Sequence, residues 1–432
     1  MKARIITIMT LILFGFTLFG EEIRKDSIIV SLITCSPGSE IYELCGHEAV
    51  RVRGILHGQP VDSIWNYGVF DFTEPNFIYR FVKGETDYRL AGYPFYWFLP
   101  EYQEAGRTVT EQDLNLSQTE ASRFLNILRE EAKPENCKYR YNYVKDNCAT
   151  RIVWRLDSAV DSRIIYPDDV RYGTFREEMR AYHHNYPWYQ FGIDLALGGG
   201  LDRPVRGRDE MFVPMEMMEK AGAAHFADGR PLVKESRVIL EKRGEPVLPP
   251  TPWYMTPMAF GVAFLSLSLL ACGWQLWKKK VLSVFYTIWF GICGIAGCVV
   301  FLLVFFSEHE ATSPNLLLIW LNPLQLLMAV CVLGRKLRYG ALALAWYNII
   351  AVGSLLIVWP FQIQSASPAV FPMMGATVVL AIAYALVIMR KGKFNNEKNI
   401  INSAVRSCHN ERGGSGSPRR GGAPKTRGGN CR

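Results

Sequence analysis

The chain has 432 residues, 49% hydrophobic and 20% charged, which is too apolar overall for a disordered protein. Its net charge of +8 raises nucleic acid as a partner, but the charge is divided unevenly. Residues 21–250 carry 29 Lys+Arg against 36 Asp+Glu and the remainder carries 19 against 4, so the excess lies beside apolar runs and in the tail, and leaves no nucleic-acid footprint.

The first twenty residues place Lys2 and Arg4 before an unbroken apolar run ending at Gly20. That is the layout of a secretory signal, although Leu18 stands where a small residue is preferred, so residues 1–20 read as a signal peptide or an uncleaved N-terminal anchor. Residues 21–250, enough for one well-cored domain or one domain with an appendage, follow it. Within them, "DSIIVSLITCSPG" (26–38) predicts a buried strand stopped by Ser-Pro-Gly. "IYELCGHEAVRVRG" (41–54) alternates His47, Ala49, Arg51 and Arg53 with Glu48, Val50 and Val52, and "DSIWNYGVFDF" (62–72) follows a Gly-Gln-Pro turn. These three predict a small antiparallel sheet.

In "NLSQTEASRFLNILREEAKPEN" Ser117 and Glu120 form a capping box, with Ala121, Phe124, Leu125 and Leu128 on one helical face. A second helix opens at Asp146–Asn147 and buries Ala149, Ile152, Val153 and Leu156, which puts Cys148 in its first turn. The unpaired N–H groups and positive dipole end there favour a thiolate and offer donors to an oxyanion. Beyond residue 160 the pattern weakens: "FGIDLALGGGLDRPVRG" reads as loop, and 229–252 as a Pro-containing connection to the membrane.

Apolar stretches then run over 255–277, 281–306, 316–333, 338–359 and 368–389, each close to the roughly 20 residues that cross a bilayer. Asn322 and Pro323 interrupt the third. "WKKK", "GRKLRYG" and "MRKGK" follow the first, third and fifth stretches, while the other two connections carry no Lys or Arg. Basic connections mark the cytoplasmic side, so residues 251–390 predict a bundle of about five helices that leaves 21–250 outside the cytoplasm. Residues 391–432, rich in Gly, Arg and Pro, predict a disordered cytoplasmic tail.

The exported segment holds Cys35, Cys45, Cys137 and Cys148. Two disulfides, Cys35–Cys45 and Cys137–Cys148, are one reading; a free Cys148 activated by its helix is the other. Cys35, at a strand end, is the rival nucleophile. Among the histidines His47 stands apart, at a strand start after Gly46; His183–His184 alone is weak evidence for zinc, and no metal or other cofactor is expected.

"GHEAVRV" followed about a hundred residues later by "YNYVKDNCATR" resembles the circularly permuted papain-like hydrolases and acyltransferases, with His on an early strand and Cys opening a later helix. More closely, "LITCSPGSEIYELCGHEAVRV", "NYGVFDF", "NFIYRFVKGETDY" and "DNCATR" resemble the Lnb N-terminal periplasmic domain family, over about residues 27–160. The order of exported domain then bundle extends the likeness to about 390. The resemblance implies a permuted papain-like α+β periplasmic domain on an all-α transmembrane bundle, integral to the inner membrane. It also implies lipoprotein N-acyl transfer from a membrane phospholipid to the α-amine of a diacylglyceryl lipoprotein's N-terminal cysteine. Carried over, Cys148 is the nucleophile, His47 the base and Asn66 the residue that orients the ring, with Tyr67 in reserve. Arg51 and Arg151 are candidates for lipid oxygens against a salt-bridged reading, and His309, at the outer mouth of the bundle, for a headgroup or the amine. The aromatic stretch at 93–100 either dips into the interface or forms loop core. A cell-wall peptidase or amidase, and a lipid or lipoprotein receptor without chemistry, are the competing functions.

Overall fold

A computed structural model describes residues 26–242, 250–361 and 363–413. The expected signal at 1–20 lies outside these residues. Among the described residues nine strands form two sheets: β1 (Ser27–Cys35), β2 (His47–Leu56), β3 (Gln59–Val69), β4 (Asp87–Pro94), β5 (Val109–Leu114), β6 (Lys138–Arg140), β7 (Ile164–Ile165), β8 (His225–Phe226) and β9 (Val233–Leu240). Seven make one antiparallel sheet in the order β6-β4-β3-β2-β1-β5-β9, and β7 pairs with β8. The predicted three-stranded sheet is its centre. The edge strand β9 occupies part of 229–252, where a connection is predicted: its alternation is mostly polar and gives no buried-strand signal.

The helices of this domain are α1 (Phe77–Lys83), α2 (Leu99–Glu104), α3 (Gln118–Glu131), α4 (Cys148–Ala159), α5 (Phe175–His183), α6 (Pro187–Ala196) and α7 (Pro214–Ala223). Helices α5 to α7 correct the weak reading after residue 160. The Ser117–Glu120 capping box is formed in both directions, and Asn147 caps α4 through the Ala149 and Thr150 N–H groups. Val50, Val52 and Tyr67 on one sheet face pack with Phe124, Leu125, Leu128, Ile152 and Leu156 of α3 and α4. Ile33, Cys35, Ala49 and Ile64 on the other face pack with Phe95, Phe98 and Tyr102. Period-two alternation along β1–β3 sorts the side chains into these two cores.

The second region holds α8 (Pro257–Lys278), α9 (Ser283–Phe306), α10 (Leu324–Cys331), α11 (Arg338–Val358) and α12 (Val370–Gly413). Among the described residues, four of its segments are long and apolar enough to cross a membrane: 257–278, 283–306, 335–361 and 370–391. The third predicted span is a shorter apolar element, interrupted at Asn322–Pro323 as expected: a 3-10 turn at Leu316–Ile319 followed by α10. The break satisfies its freed backbone locally, since Asn322 donates to the Ile319 and Trp320 carbonyls and accepts from the Leu324 N–H. It also packs very closely on α9: a Cβ at Gly297 would lie 2.5 Å from the Asn322 nitrogen. Helix α12 runs on to Gly413, so residues 391–413 are helical where a disordered tail is predicted; residues 414–432 lie outside those described.

The two regions are joined by many hydrogen bonds. Gly198 and Gly199 N–H donate to the Ala311 and Pro314 carbonyls, Asn315 donates to Leu195, Trp188 to Met255 and Arg180 to Ser365. The sheet domain is thus held on the outer loops of the helical region.

Candidate active site

The site is built where β1, β2 and β3 reach the start of α4. Gly46, at φ +83°, turns the chain into β2, and a Cβ there would lie 2.7 Å from the Cys35 carbonyl oxygen. Only glycine serves at that step. His47 follows directly opposite Cys35, so the two side chains share the face bearing Ala49, Phe95 and Tyr102.

The His47 ring is held from β3: Nε2 is 2.6 Å from Asn66 Oδ1. With its oxygen toward the ring, the Asn66 amide places Nδ2 to donate to the Tyr93 hydroxyl at 3.2 Å. An amide oxygen only accepts, so Nε2 carries the proton and Nδ1 the lone pair. Burial, opposed by the Asn66 bond and aided by the Arg107 charge, pulls His47 down to about 4. The imidazole is neutral at pH 7. Tyr67, the reserve for Asn66, points to the other face and donates to Glu131 at 2.5 Å.

Cys148 lies on the helical side, 6% exposed, in the core with Val50, Tyr67 and Tyr139. Its Cβ lies 3.9 Å from where a Cβ on Gly68 would stand. The Glu48 and Ala149 backbone N–H groups and the Tyr141 hydroxyl face its sulfur. The sulfur therefore meets the sheet at the peptide directly after His47, while the His47 ring is bonded to Asn66 rather than to the thiol. The expectation of a helix-stabilised thiolate is corrected: burial pushes Cys148 up to about 11 and outweighs the N–H groups that favour the anion. Glu48, fully buried with Thr34 donating to it at 2.8 Å, is itself pushed up to about 8 by burial and is largely neutral at pH 7. The pair at rest is a thiol and a neutral imidazole.

Cys35, Cys45, Cys137 and Cys148 are all free thiols, so neither expected disulfide is present. Cys35 is sealed in the core, and burial lifts its thiol well above the ordinary range. Cys45 contacts Tyr143 (3.1 Å) and His183 (3.9 Å), and His183 donates from Nδ1 to Gln190. His184 instead bonds the Ala181 carbonyl, so the two adjacent histidines serve different partners.

The three substrate-binding candidates fall apart from one another. Arg51 is forked onto Asp62 through Nε and Nη2 (2.8 Å each), reaches Glu111 through Nη1, and lies 3.6 Å over the Phe95 ring. All three of its nitrogens are engaged, which favours the salt-bridged reading of this residue. Arg151 is forked onto Asp146 (2.5 and 2.8 Å) and stacked 3.6 Å over Tyr139, beside Cys148 but as a brace for the loop before α4. His309 donates from Nε2 to the Phe81 carbonyl at 2.8 Å, which makes it a clamp between α1 and the helical region. In 93–100, Phe95 and Phe98 are core while Tyr96 and Trp97 are exposed. Sequence reasoning missed Tyr93, Glu48 and Tyr141; Tyr141 lies seven residues before Cys148, and only the β6 edge brings it back to the sulfur.

Residues 18–178 match the family model described as the Lnb N-terminal periplasmic domain, and residues 250–392 match the Lnb transmembrane domain. No curated protein and no solved structure matched. With the sheet-bearing α+β domain and the helical region in the order those two models describe, the chain is a membrane protein with a periplasmic domain and belongs to the Lnb family.

Proposed function

We propose that this chain is a cysteine-dependent lipoprotein N-acyltransferase of the inner membrane, with Cys148 as nucleophile, His47 as general base and acid, and Asn66 as the residue that orients the ring. The observation that carries the reading is the junction of β2 and α4. A ring held as its Nε2–H tautomer by Asn66 stands one residue from a peptide that faces the Cys148 sulfur.

The neutral pair calls for general-base attack rather than a stored ion pair. As the phospholipid ester enters, the His47 ring, held on the Ala49 face of the sheet, has to swing toward the sulfur for its Nδ1 to take the Cys148 proton while the sulfur attacks the ester carbonyl. The N–H of Cys148, at the helix start, stabilises the oxyanion. The ester C–O bond breaks, His47 returns the proton to the leaving glycerol oxygen, and a thioester remains on Cys148. The α-amine of the lipoprotein cysteine then attacks that carbonyl and gives its proton to His47. The C–S bond breaks, the proton returns to sulfur, and an amide is released. Acylating an amine directly from an oxygen ester is difficult, and the thioester divides that barrier in two.

The test is mass spectrometry of lipoprotein N-terminal peptides from a host lacking its own N-acylation, expressing wild type, Cys148→Ala or Cys35→Ala. A third acyl chain with wild type and Cys35→Ala, absent with Cys148→Ala at equal expression, is expected. A third chain that persists in Cys148→Ala overturns the nucleophile. None in well-inserted wild type overturns the reaction and favours amide hydrolysis in the cell wall.

A further inference from the structure

Helix α1, at the border with the helical region, carries an exposed apolar face. Helix α1 leaves Ile78 78% and Tyr79 64% exposed, with Phe72 and Phe81 exposed beside them. Its last turn is stitched to the loop after α9: Ser307 Oγ donates to the Val82 carbonyl, Glu308 N–H to Lys83 and His309 Nε2 to Phe81. Gly84, at φ +82°, closes the helix against Glu308 and His309, where a Cβ would come within 3.1–3.3 Å of them. The residues immediately before that loop, Phe305 and Phe306, are exposed and end a membrane-length helix. The apolar face of α1 is therefore continuous with the end of a span, which places it at the bilayer surface and not in bulk water.

From this helix a row of rings leads to the sulfur. Phe81 and Phe77 are 6.1 Å apart, Phe77 and Phe70 6.0 Å, Phe70 and Tyr88 5.2 Å, and Tyr88 and Tyr141 4.5 Å between centroids. The Tyr141 hydroxyl then faces Cys148. Phe70, Phe77, Tyr88 and Tyr141 are each half-buried, so each ring keeps surface that another molecule can cover. A phospholipid ester cannot be lifted from the bilayer to a sulfur above it with its methylenes in water, because each exposed methylene opposes the transfer.

We infer that α1 is seated in the outer-leaflet surface and that the aromatic row from Phe81 to Tyr141 covers the donor's acyl chain on its way to Cys148. This rests on the acyltransferase reading for its purpose, but the route itself is a lipid contact and is measurable without turnover.

The experiment uses the full chain as Cys148→Ser, in phosphatidylethanolamine–phosphatidylglycerol vesicles containing a phospholipid with a diazirine in its acyl chain. After irradiation, labelled peptides are mapped by mass spectrometry. Adducts on the segments holding Phe70, Phe77–Phe81 and Tyr88, besides the spans, are expected. Labels confined to 257–391 overturn the route. Ile78→Glu, at a position with little packing to lose, should cut labelling at Tyr88 at least fivefold with an unchanged circular-dichroism melt; unchanged labelling overturns the seating of α1. Acylated Cys148 in wild type without labels on the row overturns the route and spares the enzyme. Labels on the row without any acylated Cys148 support the route and overturn the acyltransferase.

Discussion

His47 and Asn66 sit on neighbouring strands, and the 2.6 Å bond between them fixes which imidazole nitrogen is basic. With the Asn66 amide oxygen toward the ring, Nε2 is the donor and Nδ1 the acceptor. Asn66→Ala should free the ring and leave the fold almost untouched, since Asn66 is only half-buried. The expected result is a loss in N-acylation rate of about ten- to a hundredfold, smaller than the loss of about a hundredfold or more from His47→Ala. Single-turnover acylation of Cys148 by phospholipid, with equal melting temperatures, checks it. Equal rates for Asn66→Ala and wild type would remove Asn66 from the site.

The resting protonation states make opposite predictions from those of a stored thiolate–imidazolium pair. With Cys148 up at about 11, its alkylation by iodoacetamide should climb steadily from pH 6 to 10 without a plateau. With His47 down at about 4, the acid limb of the acylation rate should fall near pH 4 and not near 6.5. The folding linkage has a definite sign. A His with its folded value below its unfolded one leaves the unfolded chain binding more protons between about 4 and 6.5, so this contribution is full above 6.5 and is lost as pH falls toward 4. A flat, fast alkylation profile from pH 6 upward would show an activated thiolate instead.

The positions of His47, Asn66 and Cys148 were legible because each is local: a Gly-His entering a strand, an Asn on the next alternating strand, and an Asn-Cys pair at a cap. The same is true of the spans, whose apolar runs need no partner to be recognised. What the sequence does not carry is the balance at Cys148. A helix start argues for an anion, but the burial that opposes it comes from Tyr67, Tyr139 and Gly68, brought over by β3 and β6. The partners of Arg51 were not legible for a related reason, since Asp62 and Glu111 are eleven and sixty residues away and only the β2–β3 and β1–β5 registers bring them close. The interruption of the third span at Asn322–Pro323 was legible, but not the tertiary hydrogen bonds and close approach of α9 that decide how the broken helix is tolerated.

Arg51 should therefore behave as a structural residue. Arg51→Ala removes a fork from Asp62 and one of three arginines around the fully buried Glu111, with Arg53 and Arg237 remaining. A loss of about 1–2 kcal/mol is expected. The KM for phospholipid should stay unchanged at temperatures where the variant is folded. A selective rise in KM without loss of stability would restore the lipid-binding role.

Glu48 offers a test through pH. Its carboxyl is raised to about 8 from 4.5, so the folded chain binds more protons than the unfolded one across that range, and stability falls as pH rises from 4.5 to 8. Glu48→Gln keeps the shape and an acceptor for Thr34 without a group that must ionise on unfolding. The variant should gain on wild type as pH rises, by on the order of 3 kcal/mol at pH 7. Urea melts of both proteins at pH 5 and pH 7.5 give the comparison, and a difference that does not grow with pH would refute a neutral buried acid.

Asn147 holds Cys148 in place from both sides of one amide. Its Oδ1 accepts from the Ala149 and Thr150 N–H groups at 2.9 Å each, and its Nδ2 donates to the Tyr143 and Phe212 carbonyls at 2.8 and 2.7 Å. The residue is 3% exposed, so water replaces none of these bonds readily. Asn147→Asp keeps the cap acceptor, which alone is worth about 1 kcal/mol, but turns the donor into an oxygen aimed at two buried carbonyls. Asn147→Ser keeps a shorter cap acceptor and puts no charge there. The aspartate should therefore destabilise more than the serine, by about 1–2 kcal/mol at pH 7, although aspartate is the equal of asparagine at an exposed cap. Lowering the pH to 4 should narrow the gap, because a protonated carboxyl regains a donor. Thermal melts of the two variants at pH 4 and pH 7 decide it: an aspartate as stable as wild type at pH 7 would mean that the Tyr143 and Phe212 bonds contribute nothing to holding the Cys148 helix.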